Sequence, residues 1–174
     1  MEARGEIMKT ITATVALALL PTIAFAQTAP DFSGSYFCKA TASGGLALND
    51  QQKWESTRFD VSDVAYLVTA EKTGRTEPDA TFRLATPTYK ITIKDFGSPK
   101  DARACFAARR ASIISNDIRV DDTGYGTCIF MGYDYEFNFK SLRMQVTFRG
   151  GFMDNWRDST EAPFITVALC EKIS

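Results

Sequence analysis

Four cysteines, Cys38, Cys105, Cys128 and Cys170, follow a 26-residue leader, and together these features constrain the fold more than anything else in the chain. Met8-Lys9 precedes an apolar run over 11–20, then Pro21, then Ala24-Phe25-Ala26. A short basic segment, an apolar stretch too short to span a bilayer and a small-x-small site form an export signal. The expected mature chain starts at Gln27, and Met8 is the expected true start, because Glu2 and Glu6 weaken the basic character of the leader. The residue directly after the cut is Gln27 and not a cysteine, so nothing suggests a lipid anchor. Export places the four thiols in an oxidising compartment, periplasmic or extracellular, where they are expected to pair.

Removing 26 of the 174 residues leaves 148, enough for one domain, 27–174, with one hydrophobic core. The whole chain carries 20 basic and 21 acidic side chains, a formal net charge of −1. That balance leaves no electrostatic footprint for nucleic acid or an anionic membrane. After the leader no apolar run is long enough for a transmembrane helix. The chain contains no histidine. This removes the commonest general base, the commonest metal ligand and the usual partner of a nucleophilic Ser or Cys. The expectation is a protein that is not an enzyme, with neither a metal nor a cofactor.

Alternation of apolar and polar residues dominates the chain. Tyr36, Cys38 and Ala40 share one face of a segment over 34–42. Segments over 54–61 and 64–71 follow, and Lys72-Thr73-Gly74-Arg75 reads as a turn. Phe82 and Leu84 mark a short strand ending before Thr86-Pro87. Tyr89, Ile91 and Ile93 alternate with Lys90, Thr92 and Lys94 as a half-buried strand. Tyr133, Tyr135, Phe137 and Phe139 then occupy one face, followed by Leu142, Met144, Val146 and Phe148. The switch from odd to even positions fits a hairpin with a two-residue loop at Lys140-Ser141, or a longer turn in the same register. Gly150-Gly151 ends that hairpin, and 164–172 reads as the final strand. Ser98-Pro99-Lys100-Asp101 is a good helix start, and Ala102, Cys105 and Phe106 sit at helical spacing, so one short helix over 99–110 is favoured; a strand over 105–108 is the alternative.

About eight to ten short strands in a chain of this size form a sandwich or a barrel. In a closed antiparallel barrel the first and last strands are neighbours, so a Cys38–Cys170 bridge would staple the seam and Cys105–Cys128 would pin the ambiguous segment. Three pairings are open to four cysteines. If nested, the outer bridge is worth about 4–5 kcal/mol and the inner one about 3 in the chain-entropy estimate. With no CxxC spacing, both bridges read as structural.

Ten of the 21 aromatic residues lie between Tyr125 and Phe164. Lining a barrel interior, Tyr133, Tyr135, Phe137, Phe139, Met144 and Phe148 could form a pocket for a small hydrophobic ligand. The plainer alternative is that they fill the core. Trp156, in a loop with Asp154, Asp158 and Glu161, is a candidate anchor for an envelope protein partner. The loop lacks calcium-site spacing and carries Arg157, which argues for a solvated connection. Asp121-Asp122-Thr123-Gly124 reads as a turn with Gly at positive φ rather than as a catalytic aspartate motif, and Arg109-Arg110 as a solvated pair.

Two stretches carry a resemblance. Ser33-Gly34-Ser35-Tyr36-Phe37-Cys38-Lys39 leads to Gly44-Gly45-Leu46 and Lys53-Trp54-Glu55. Later come Phe137-Asn138-Phe139-Lys140-Ser141-Leu142-Arg143, Pro163-Phe164-Ile165 and Cys170-Glu171-Lys172-Ile173. These resemble a group of small exported proteobacterial proteins to which no activity is attached. Gly34-Ser35-Tyr36 also resembles the lipocalin opening G-x-W, with Tyr in place of Trp, and that resemblance implies a barrel. The expected fold is therefore all-β: an antiparallel up-and-down, calycin-like β-barrel with one short helix and two disulfides. The expected function is a non-enzymatic binding module with a small apolar ligand in or at the mouth of the barrel. A protein-partner module, such as an inhibitor of a lytic enzyme or protease acting through loop tips, is the alternative.

Overall fold

The computed structural model describes residues 30–78, 85–107, 115–149 and 162–174. Ten strands run through them: β1 Gly34–Leu48, β2 Trp54–Arg58, β3 Ala65–Pro78, β4 Ala85–Asp95, β5 Arg103–Ala104, β6 Ile118–Arg119, β7 Tyr125–Phe130, β8 Tyr133–Asn138, β9 Arg143–Phe148 and β10 Phe164–Lys172. All pairings are antiparallel, in one sheet of order β5-β4-β3-β1-β10-β9-β8-β7; β2 also pairs with β1, and β6 with β4. The expected leader lies outside the described residues, and no described helix is long and apolar enough to cross a membrane.

One face of this sheet makes the core. Tyr36 and Cys38 on β1, Tyr66 and Val68 on β3, and Tyr89, Ile91 and Ile93 on β4 are buried; so are Tyr135 and Phe137 on β8 and Met144 and Val146 on β9. Period-two alternation puts these side chains on the same side, as the sequence pattern predicts. The largest of them bury roughly 1.5–3 kcal/mol each by transfer from water.

Strand pairing does not close the sheet, but two isolated bridges link segments beside its outer strands. Phe106, just after β5, forms an isolated bridge with Ile129 of β7, through N–H···O bonds of 3.1 and 2.8 Å. Val120, just after β6, forms a second isolated bridge with Gly126 of β7, beside which the Asp121 N–H donates to Tyr125 O at 3.0 Å. Between these bridges Cys105 is joined to Cys128, while Cys38 is joined to Cys170. The nested pairing is therefore the one present. As expected, the first and last strands are neighbours and Cys38 faces Cys170 across them; their ladder lies inside the sheet order rather than at its open ends. The bridge that ties the ends together is Cys105–Cys128.

The helix expected over 99–110 does not form among the described residues. Positions 98–102 are turn and coil, Arg103 and Ala104 pair with Ile93 and Thr92, and the Cys105 N–H donates to Ile91 O at 2.9 Å. The Ser-Pro-x-Asp signal is local, and the ladder offers the same backbone groups partners on β4; residues 108–110 lie outside the described set. The expected turn at 72–75 is a bulge inside the β3–β4 ladder, where the register shifts between Lys72 and Thr76 and Gly74 takes φ 74°. Thr86 and Pro87 accordingly fall inside β4. The β8–β9 hairpin keeps the expected register, with Asn138 opposite Arg143, but turns over four residues. The Asn138 Oδ1 accepts the Ser141 N–H at 2.8 Å, and Leu142 sits at φ 55°. The two-residue hairpin loop lies instead at Met131-Gly132, both with positive φ as a primed turn demands. Asp121 to Gly124 forms the expected turn: Asp121 Oδ1 accepts N–H groups of Thr123 and Tyr125 at 2.9 and 3.0 Å, and Gly124 has φ 83°.

Candidate ligand-binding site

The site arises where a fault in one ladder makes room. Between β1 and β10 the register shifts by one residue between Ala40 and Ala42, leaving Thr41 extra in β1. Before the bulge Tyr36, Cys38 and Ala40 point inward; beyond it the inward phase passes to Ser43, opposite Thr166. The Thr166 hydroxyl donates to the Ser43 hydroxyl at 2.8 Å, and Ser43 donates in turn to Ile165 O at 3.3 Å. One step further, Gly45 faces Phe164. A Cβ on Gly45 would lie 2.1 Å from Pro163 O and 2.8 Å from Phe164 Cα, so only glycine admits β10 here.

Across the neighbouring strands the same row turns large. Phe130 faces Tyr133, Tyr133 faces Phe148 and Phe148 faces Phe164. Ring centroids are 4.7 Å apart for Tyr133–Phe148 and 5.8 Å for Phe148–Phe164. Small inward residues on β1 meet this row of rings at the sheet's end, and a cavity of about 340 Å³ opens between them.

The remaining wall is the loop between β2 and β3. Both strands pair along the same edge of β1, β2 with 44–48 and β3 with 34–39, and the loop fills the gap between them. It is tied down at each end: the Phe59 N–H donates to Ser43 O at 3.2 Å, and the Ala40 N–H to Val64 O at 3.0 Å. Within it, the Val64 N–H closes a turn on Val61 O at 3.0 Å. Phe59, Val61, Val64 and, from β3, Tyr66 thereby face the cavity. Phe59 stands against Phe164 at 6.1 Å with planes inclined by 65°.

One charged side chain lines the cavity among the described residues: Asp60, exposed at its rim. Its Oδ1 accepts the Ser62 N–H at 2.9 Å. That bond, then the Ser62 hydroxyl, holds the Asp60 carboxyl below its ordinary range, with smaller help from Val61 N–H and Lys39; it is ionised at neutral pH. The Lys39 ammonium donates to Ser62 O. Deeper in, burial pushes the Tyr66 and Tyr135 hydroxyls up to about 12; Asp95 adds to the rise at both, whereas Arg103 opposes it. Arg103 is engaged by Asp95 at 2.8 Å and lies over the Phe130 ring.

The six interior residues singled out in the sequence divide between two places. Tyr133 and Phe148 line the cavity. Tyr135, Phe137, Phe139 and Met144 are at most 6% exposed and pack within the core, where Phe139 lies 5.4 Å from Phe137 and 4.9 Å from Tyr36. Trp156, with the acidic loop around it, Gly150-Gly151 and Arg109-Arg110 lie outside the described residues. The sequence reading missed Phe59, Asp60, Tyr66 and Phe164. Their common signal was a large or charged residue at a strand end or in the loop beside it, and alternation does not register that. No known protein family, curated protein or solved structure matches this chain.

Proposed function

We propose that this chain is an exported, non-enzymatic binding module whose sheet rolls into a barrel and holds a small, largely apolar ligand at its mouth. The observation that carries the reading is the cavity of about 340 Å³, walled by Phe59, Tyr66, Tyr133, Phe148 and Phe164 with few polar groups. Its volume falls at the small end of the range typical for ligand sites, roughly 300–1,000 Å³. Its hydroxyls at Ser43 and Thr166 are bonded to one another, so the wall presents apolar surface with little unsatisfied polarity.

The barrel is supported by the single inward face and by the two bridges that bring β5 and β6 against β7. The Gly34-Ser35-Tyr36 opening, similar to the lipocalin one, is in keeping with it. Export is supported by two disulfides, which persist in oxidising compartments. A chain without histidine, whose pocket holds one exposed carboxylate among the described residues, favours binding over catalysis.

Native mass spectrometry of the protein exported and purified from its own host tests the proposal, with N-phenyl-1-naphthylamine fluorescence as a second readout. A co-purifying small molecule, or saturable dye binding at one site per chain that is weakened by Phe148→Ala, is the expected result. A clean apo mass together with no saturable dye binding would overturn the reading.

A further inference from the structure

The cavity's chemistry is more selective than apolar. Among the described residues five aromatic rings line it, and the one charged lining side chain is an ionised carboxylate at the rim. The planes of Tyr133 and Phe59 are inclined to Phe164 by 61° and 65°, so the rings wall the space from more than one direction. Ring faces carry negative electrostatic potential, and a cation seated against a ring face gains from it. Among the described residues Arg103 pairs with Asp95 and Arg149 with Asp134, while Lys39 donates to Ser62 O on the loop that carries Asp60. None of the three is among the cavity's lining residues. A neutral hydrocarbon would use the apolar walls and make nothing of the Asp60 charge beyond its hydrogen bond within the loop. A bulky organic cation uses both, because its methyl groups meet the rings while its charge faces the carboxylate.

We propose that the ligand taken at this site carries a trimethylammonium-type group, seated among Tyr133, Phe148, Phe164 and Phe59 with Asp60 at the rim. This rests on the reading of the cavity as a ligand site and adds the charge class. Trimethylammonium groups occur on free solutes and on phosphatidylcholine headgroups, and the pocket's chemistry is the same for both.

The test is binding of choline against its neutral carbon isostere, 3,3-dimethyl-1-butanol, to the disulfide-intact mature protein. Calorimetry and amide chemical-shift mapping provide the readouts. Choline is expected to bind roughly tenfold or more tightly than the isostere, with shifts centred on 59–64, Tyr133 and Phe164. Asp60→Asn, which keeps an acceptor for the Ser62 N–H, is expected to weaken choline about three- to tenfold and leave the isostere unchanged. Equal or tighter binding of the isostere would overturn the charge assignment and leave the cavity a ligand site. Binding of neither molecule, with no dye bound, would overturn both. Co-sedimentation with phosphatidylcholine vesicles would assign the group to a lipid headgroup, and choline binding without it to a free solute.

Discussion

Removing the Cys105–Cys128 bridge by the double substitution C105A/C128A should open the sheet locally before it unfolds the domain. The two cysteines are 23 residues apart, which the chain-entropy estimate converts to about 3 kcal/mol of lost stability. For a domain of this size that corresponds to a fall in Tm of roughly 10 °C. Removing Cys38–Cys170, with a separation of 132 residues, should cost more, about 5 kcal/mol by the same estimate. The local consequences should run the other way. Without Cys105–Cys128, β7 is held to the far end of the sheet by the Phe106–Ile129 and Val120–Gly126 bridges. Without Cys38–Cys170, those cysteine positions remain in a ladder that runs from Tyr36↔Lys172 to Gly45↔Phe164. Urea unfolding gives the global loss, and native-state hydrogen exchange separates local opening from it. In C105A/C128A the Phe106 and Ile129 amides should exchange at free energies well below the global value; in C38A/C170A they should track it. If both amides in C105A/C128A exchanged only with global unfolding, the bridge would not be what fastens the ends of the sheet.

Two further outcomes follow from the geometry. Gly45→Ala should destabilise the protein by about 2–4 kcal/mol and weaken dye binding, because the new methyl meets Pro163 O and displaces Phe164 from the cavity wall; a thermal midpoint within a degree of wild type would refute the close approach. Tyr66 and Tyr135 stay neutral in the fold up to about pH 12, whereas in the unfolded chain tyrosine ionises near 10, so stability should be intact below pH 10 and fall between about 10 and 12. Absorbance titration at 295 nm alongside urea midpoints would show this, and ionisation of all six tyrosines in one step near pH 10 in folded protein would contradict it.

Much of the fold could be read from alternation, because a half-buried strand imposes a period of two on its own residues. The final strand came out as 164–172, the strands around Tyr89 and Tyr135 had the right face inward, and the β8–β9 register followed from the odd-to-even switch between Phe139 and Leu142. What failed was local punctuation overruled by pairing. Ser98-Pro99 suggested a helix, but the backbone of Arg103 to Cys105 is taken up by β4; Gly74 suggested a turn, yet it serves a bulge in a continuing ladder. The site was legible only in part, through Tyr133 and Phe148. Phe59 and Phe164 are more than a hundred positions apart, and they meet because Thr41 shifts one register and Gly45 lets a strand approach. Each of those is a one-residue event with no periodic signature.

The sheet order has a consequence for how the chain acquires its shape. β1 lies in the middle of the sheet, and one of its two edges is completed by β10, whose Cys170 comes 132 residues after Cys38. While β1 to β9 emerge in order, β1 and β9 each wait for the strand that lies between them, and the aromatic row from Tyr133 to Gly45 stays broken at Phe164. Contacts of such long sequence separation close slowly, since the loop entropy is spent before they form. In a chain with this topology the β3–β4 and β7–β8–β9 ladders can pair early, but the sheet is joined into one only when β10 is delivered.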